Sequence, residues 1–311
     1  MEMHGINKSL SVVIPCYNSE TYIGQAIESV LNQNHVPIEL IVVDDGSTDN
    51  SKSIISSYGE RLKFLSSTNL GACSARNLGL YSSQNDYVIF LDSDDYLLGD
   101  SISKTINQSN NFDILFGNFF YEKSKTKYNS GRDLNARGSL DLFSSWIDGN
   151  FIPPCSVIWR KKFLLDIGCW DVSIKRNQDG ELILRALLNN PVISFTEKHI
   201  GVYVQHESHN RVSKRKGRDI ITGDINIFEK LVDLARSKKH FTTKIASSFA
   251  KALYSVAYEA YYLGYDDLGD LALKHARLIG LNRHYGSTKH RFIAAILGLK
   301  IKMHLSRRFK N

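Results

Sequence analysis

No Asp or Glu follows Asp270 in this 311-residue chain, and that absence decides how its charge is read. Ten Lys and Arg lie beyond that point, from Lys274 to Lys310. The first 270 residues hold the other 29 basic residues and all 32 acidic ones, a formal net of −3. The overall +7 therefore belongs to the tail, and a nucleic-acid face on the main body is not indicated. Cysteine is also scarce. Cys16, Cys73, Cys155 and Cys169 are widely spaced and form no CxxC pair. That argues against a disulfide frame or a zinc site and for free thiols in a reducing compartment. A basic-then-apolar leader is missing ahead of the strand pattern that starts by Leu10, so no signal peptide is expected. The longest apolar run near the end, Phe292 to Leu299, is too short to span a bilayer. The expectation is a cytoplasmic protein, 42% hydrophobic and 23% charged, with an ordinary globular composition.

What is present is a regular alternation of elements. Leu10 to Pro15 is a short β-branched run stopped by proline and reads as a buried strand. Tyr22, Ala26, Ile27, Val30 and Leu31 recur at helical spacing. Further strands are expected at Glu39 to Val43, Leu62 to Leu65, Tyr87 to Leu91 and Phe112 to Phe120, with a helix over Ala72 to Leu80. Strand and helix in such short order imply a parallel sheet covered on both faces. Ser124 to Gly138 reads as a polar, lysine-rich loop. Helices are expected at Ser139 to Ile147 and Asp179 to Leu188, and a strand at Ser156 to Trp159. After about residue 212 the pattern turns helical: Thr222 to Ala235, Lys244 to Leu263 and Asp267 to Ile279. The pair around Tyr261 to Gly264 looks like one tetratricopeptide-type hairpin. One hairpin is not an array, so a helical appendage is the simpler reading.

Polar clusters follow the carboxyl ends of the strands, where open α/β sheets bind ligands. Pro15-Cys16-Tyr17-Asn18 sets Tyr17 either to stack on a nucleobase or to pack on the next helix. Asp44-Asp45-Gly46-Ser47 holds two adjacent carboxylates, costly to bury unpaired. They can accept from base N–H groups or ribose hydroxyls, although alone the cluster reads as a turn with a helix cap. Asp92-Ser93-Asp94 sends alternate carboxylates to opposite sides of an extended segment, one toward a sugar and one toward a metal. Oxygen ligands suit Mg²⁺ or Mn²⁺ bridging a diphosphate. Asn177-Gln178-Asp179-Gly180-Glu181 opens a helix, where an acid is usually a cap. Gln205-His206-Glu207-Ser208 follows the short strand Gly201 to Val204.

Taken together, the clusters resemble inverting glycosyltransferase family 2, over about Leu10 to Ser213. Val13 to Asn18, Val42 to Asp49, Asn69 to Asn77 and Phe90 to Asp95 come in the family's order and spacing. The resemblance implies a GT-A fold: an open, mostly parallel sheet flanked by helices, with a Rossmann-like nucleotide-binding half. It implies a nucleoside-diphosphate sugar donor, with UDP-sugars commonest and dTDP or GDP donors open, and a saccharide or lipid-linked acceptor. It makes Tyr17 and Asp45 the base-binding pair beside Pro15 and Asp44. Arg76 becomes the arginine near the nucleotide, Asp92 the ribose contact next to Ser93, and Asp94 the ligand of Mn²⁺ or Mg²⁺. Asp179 matches the general base, although Gln178 stands where the family's motif has Glu. His206 resembles the late histidine that joins the metal or pyrophosphate.

The domains expected are a GT-A catalytic domain over 1–212, a helical appendage over 213–282 and a basic amphipathic tail over 283–311. On one helix, Phe292, Ile296, Leu299 and Met303 share a face, which suits peripheral docking on the inner face of an anionic membrane or packing on the protein. Rival readings are a non-catalytic sugar-nucleotide or polysaccharide-binding protein on the same fold, a nucleotidyltransferase and a dehydrogenase. Pro15 to Ser19 has no glycine for a phosphate loop, and GxGxxG is absent after strand one, which weighs against the last two.

Overall fold

The computed structural model describes residues 8–34, 36–106, 111–129, 138–206 and 215–308. The chain divides into two compact units. The first comprises Met1–Arg137, Phe151–Ser173 and Asn190–Glu207; the second Gly138–Asn150, Ile174–Asn189 and Ser208–Asn311.

The first unit is a mixed α/β layer structure. In chain order its elements are β1 (Leu10–Cys16), α1 (Ile23–Leu31), β2 (Ile38–Asp44), α2 (Ser51–Ser56), β3 (Lys63–Ser66), α3 (Ala72–Ser82) and β4 (Tyr87–Phe90). They continue with β5 (Tyr96–Leu97), α4 (Ser101–Ile106), β6 (Ile114–Lys123), β7 (Thr126–Asn129), β8 (Val157–Arg160), α6 (Lys161–Asp166) and β9 (Ile193–Val204). Among the described residues the strands form one nine-stranded sheet, ordered β3-β2-β1-β4-β8-β6-β9-β5, with β7 on β6. β3, β2, β1 and β4 run parallel. β8 then pairs antiparallel with both β4 and β6, so the parallel half continues into a mixed half.

β1 is buried along its whole length because both faces are covered. Leu10, Val12 and Ile14 pack with Ile23, Ala26, Ile27 and Val30 of α1. Val13, on the opposite face, meets α3. A Cβ on Gly79 would fall 2.3 Å from Val13 Cγ1, so only glycine lets the helix approach this closely. All four cysteines are buried thiols outside any disulfide. Burial, with the Asp44 and Asp49 carboxylates nearby, pushes the Cys16 thiol up to about 11.

The second unit is helical: α5 (Ser139–Ile147), α7 (Gln178–Leu187), α8 (Arg218–Ser237), α9 (Thr243–Leu263), α10 (Asp266–Leu278), α11 (Thr288–Leu297) and α12 (Leu299–Arg308). α5 joins it through Phe143, whose ring lies 5.1 Å from that of Phe249 on α9. The segment entering α7 joins it through charge. Arg176 is largely buried, with Nη1 and Nη2 each 2.8 Å from a Glu259 oxygen and Nε 3.1 Å from Asp224 Oδ2. Burial opposes the guanidinium charge, but its bonds to Glu259 and Asp224 outweigh that and hold it charged. Removing one member of such a cluster strands the others. Arg176→Met is expected to cost about 3–5 kcal/mol in urea unfolding, because Asp224 and Glu259 keep their burial and lose their cation.

The tail differs from a single amphipathic helix. Gly298 adopts φ +79, in the left-handed region, and splits the run into α11 and α12. Leu299 and Met303 are buried, whereas Phe292 and Ile296 are exposed, so the four do not share one face. The expected loop over Ser124 to Gly138 is in part a strand, since Thr126–Asn129 is β7 paired with β6; residues 130–137 lie outside the described residues, as do Glu207 and Ser208 after His206.

Candidate functional site

In the first unit, the loops after β1, β2 and β4 meet at the carboxyl edge of the parallel strands. β1 ends at Cys16, and the next residues turn sharply, with Asn18 at φ 48. Polar side chains tie the turn to its neighbours. Asn18 N donates to Ser47 Oγ at 2.9 Å, and Thr48 N donates to Asn18 Oδ1 at 2.8 Å. Ser19 Oγ lies 2.8 Å from Ser93 Oγ, joining the first loop to the loop after β4. Pro15 is buried in β1 opposite Val43. Tyr17 stands out of this edge, 45% exposed, and so is not spent on packing against α1.

Asp44 and Asp45 have separate tasks. Asp44 Oδ1 accepts from Ser47 N at 3.2 Å, closing the turn that leads to α2. Asp45 is only 3% exposed. Its Oδ1 accepts from Leu70 N at 2.8 Å and from the Ser67 hydroxyl, and its Oδ2 from Gly71 N at 2.7 Å. Three donors stabilise the buried charge and fix the loop from β3 into α3. That loop delivers Arg76.

Arg76 is buried, and Nη2 reaches Asp92 Oδ1 at 2.5 Å. Its guanidinium lies 4.5 Å from the centre of the Trp170 ring. Asn77 holds that tryptophan in place: Trp170 N donates to Asn77 Oδ1 at 3.0 Å, and Asn77 Nδ2 donates to Trp170 O at 2.9 Å. Asp92 is thus held by a buried cation that lies over the Trp170 ring.

Asp94 is paired across the sheet edge with His206, Oδ2 to Nε2 at 3.7 Å. The imidazole also lies against the Tyr22 ring, centroids 4.2 Å apart. What brings this histidine here is Asp95, a buried residue. Its Oδ1 accepts from Val204 N at 2.8 Å, anchoring the end of β9 two residues before His206. Asp95 N also donates to Asp92 O at 3.0 Å, tightening the Asp-x-Asp turn. Losing a buried charged acceptor of this kind is expected to cost about 1.5–3 kcal/mol. Asp95→Ala should show that loss in thermal or urea melting. Cys155 is fully buried nearby. Burial first, then the Asp95 and Asp92 charges, push its thiol well up, which disfavours the thiolate form.

An oxygen from Asp94 and a nitrogen from His206 are two donors of the type a divalent ion takes. Among the described residues no cluster of three or more His, Cys, Asp or Glu forms. Two protein ligands still fit an ion of the Mg²⁺ or Mn²⁺ class, which keeps waters and completes its shell with substrate phosphates.

Asp179 lies in the second unit, in the first turn of α7, where the helix N-terminus stabilises a negative charge. Gln178 turns back, Nε2 donating to Ile174 O at 2.8 Å. Glu181 is bound at both oxygens by Arg185, at 2.6 and 2.9 Å. That pairing makes Glu181 a structural residue of α7. Sequence reasoning missed Asp95, Asn77, Tyr22 and Trp170. The first two stand inside motifs that were read for their neighbours; Tyr22 and Trp170 give no local signal.

The sequence profile described as Glycosyl transferase family 2 matches residues 11–166. An uncharacterised glycosyltransferase of Haemophilus influenzae is 42% identical over 118 residues, 36% of this chain and 47% of that protein. An uncharacterised glycosyltransferase of Rickettsia felis is 28% identical over 218 residues, 67% of this chain and 35% of that protein. The chain thus matches about a third to a half of the length of these relatives. The minor teichoic acid biosynthesis protein GgaB of Bacillus subtilis is 29% identical over 223 residues, 68% of this chain and 24% of that protein. Among solved structures, S. aureus TarS residues 1–349 in complex with UDP-GlcNAc superposes with a TM-score of 0.68 at 21% identity. That match covers 86% of this chain and 79% of TarS 1–349. The mannosyltransferase PcManGT of Pyrobaculum calidifontis, in complex with GDP-Man and Mn2+, gives 0.51 at 13% identity, covering 97% of this chain and 87% of its own. These likenesses show the fold, a GT-A-like mixed α/β sheet flanked by helices.

Proposed function

The chain belongs to glycosyl transferase family 2, and we propose that it moves a sugar from a nucleoside-diphosphate sugar to a hydroxyl of a saccharide or lipid-linked acceptor, with inversion. The observation that carries this is the cluster at the carboxyl edge of β4. Arg76 holds Asp92, Ser19 lies against Ser93, and Asp94 lies near His206, while Asp45 fixes the loop that leads to Arg76 and Asp95 fixes the end of β9 before His206. A UDP-sugar is the first donor to test, because TarS is known in complex with UDP-GlcNAc; the GDP-Man complex of PcManGT keeps GDP donors on the list. The likeness to GgaB supports a place in cell-surface polymer synthesis.

Each residue has a task in this reading. The exposed Tyr17 ring stacks on the base. Pro15 shapes the turn that presents it, and Asp44 and Asp45 shape the floor beneath. Asp92, oriented by Arg76, accepts from ribose hydroxyls. Asp94 and His206 would hold Mn²⁺ or Mg²⁺. Bound there, the ion supplies charge neutralisation for the departing diphosphate. Asp179 takes the proton from the acceptor hydroxyl as that oxygen attacks the anomeric carbon. One carbon–oxygen bond forms as the bond to the diphosphate breaks, and the nucleoside diphosphate leaves with the electron pair. A non-catalytic binder on the same fold would bind donor without hydrolysing or transferring it. The test is release of nucleoside diphosphate from a panel of UDP-, dTDP- and GDP-sugars, with divalent ion and in EDTA.

A further inference from the structure

The last two helices each dock one face inside the second unit and turn an apolar pair outward. On α11, His290 and Ala294 face in: His290 Nε2 lies 3.0 Å from the Tyr254 hydroxyl, and Ala294 is buried. Phe292 and Ile296 fall on the other side, 68% and 65% exposed. α12 repeats the arrangement, with Leu299 and Met303 buried and Ile301 and Leu305 exposed by 56% and 39%. A spacing of four puts both members of each pair on one stripe of their helix. Single exposed apolar residues are ordinary, but two such stripes on consecutive, mutually packed helices mark an interaction surface.

We infer that the outward faces of α11 and α12 dock on a lipid bilayer that carries anionic headgroups. Charge selects the partner. From Asp266 onward the chain has ten Lys and Arg against three Asp. Those three acids are engaged within the unit. Asp270 binds Lys300 at 2.7 Å, Asp266 binds His304 at 2.9 Å, and Asp267 pairs with Arg218. Lys289 and Arg291 remain exposed on α11, beside Phe292 and Ile296, with no acid in the rest of the tail to balance them. A second copy of this surface would set like charges face to face. An anionic bilayer supplies counter-charge at the headgroups and apolar depth beneath them, the two things this face offers to match. Among the described residues no helix is long and apolar enough to cross a membrane, so the mode is interfacial.

The experiment is co-sedimentation of the full chain with vesicles of phosphatidylcholine alone and of equal parts phosphatidylcholine and phosphatidylglycerol. Binding is expected to the anionic vesicles only, and salt should weaken it. Phe292→Ser with Ile296→Ser, and separately Lys289→Glu with Arg291→Glu, should each weaken binding by about tenfold or more. These side chains are exposed, so thermal melting should be unchanged. Phe292→Trp gives a direct reading, since its emission should shift to the blue on anionic vesicles. Absence of binding at low salt, equal binding by the paired variants, or an unshifted Phe292→Trp emission would overturn the inference. So would a dimer that Phe292→Ser with Ile296→Ser dissolves in the absence of vesicle binding. Donor turnover in solution plays no part in this reading and should survive in all these variants, which separates its failure from failure of the proposed function.

Discussion

Asp179→Asn is expected to lower sugar transfer by about 10²- to 10⁴-fold, the usual worth of a general base, and to leave donor affinity within a few-fold. The substitution keeps the shape of the side chain and removes only its capacity to take a proton. The stability cost should be small. A first-turn carboxylate is worth about 0.3–1 kcal/mol to its helix, and α7 keeps the buried contacts of Leu182, Ile183 and Leu184. Glu181→Gln is the control. Both oxygens of Glu181 are held by Arg185, so that change should loosen α7 without altering the pH dependence of turnover. Single-turnover transfer and nucleotide titration give the two readings. Near wild-type transfer by Asp179→Asn would place the base elsewhere.

Asp94→Ala is expected to remove more than about 100-fold of turnover, since Lewis-acid stabilisation is worth several kcal/mol and each 1.4 kcal/mol is tenfold. EDTA should do the same to the unaltered protein, and Mn²⁺ or Mg²⁺ should restore it. His206→Ala should fall between, weakening the ion's grip so that more metal is needed for the same rate. Asp94 is part-exposed and lies on a turn that Asp95 holds, so the fold should survive the change. Full activity of Asp94→Ala in chelator would remove the ion from the reaction.

The inner strands of the parallel half, β1, β2 and β4, were legible because they are largely buried on both faces. Leu10 to Pro15 and Glu39 to Val43 are mostly apolar, broken only by Ser11 and Glu39, and each is followed by a polar cluster. The long helices α8, α9 and α10 were legible for a similar reason: each buries one stripe over many turns. β9 was read only at Gly201 to Val204. It starts at Ile193, but Thr196 to His199 is polar, and the register with β6 shifts between Gly117 and Phe119, which breaks the alternation a reader looks for. β5 has two residues and no pattern of its own.

In the site, the motif residues could be found, but not what holds them. Asp95 acts on Val204 across 109 positions, and Asn77 acts on Trp170 across 93. Arg176, Asp224 and Glu259 group α7 with α8 and α9 through charges 48 and 83 positions apart. Local spacing contains none of this. The tail shows a subtler failure. Its helical periodicity runs straight through Gly298, and the positive-φ glycine there starts a new helix that buries Leu299 and Met303 while Ile301 and Leu305 stay exposed.

The most direct test of the account is nucleoside diphosphate release from UDP-, dTDP- and GDP-sugars, each measured with Mn²⁺ and with EDTA on the unaltered protein and on Asp94→Ala. The account predicts release from at least one donor, dependent on the ion and lost in Asp94→Ala. Binding of a donor with no release under any condition, with acceptor saccharide present, would contradict it and leave a sugar-nucleotide-binding protein on a transferase fold.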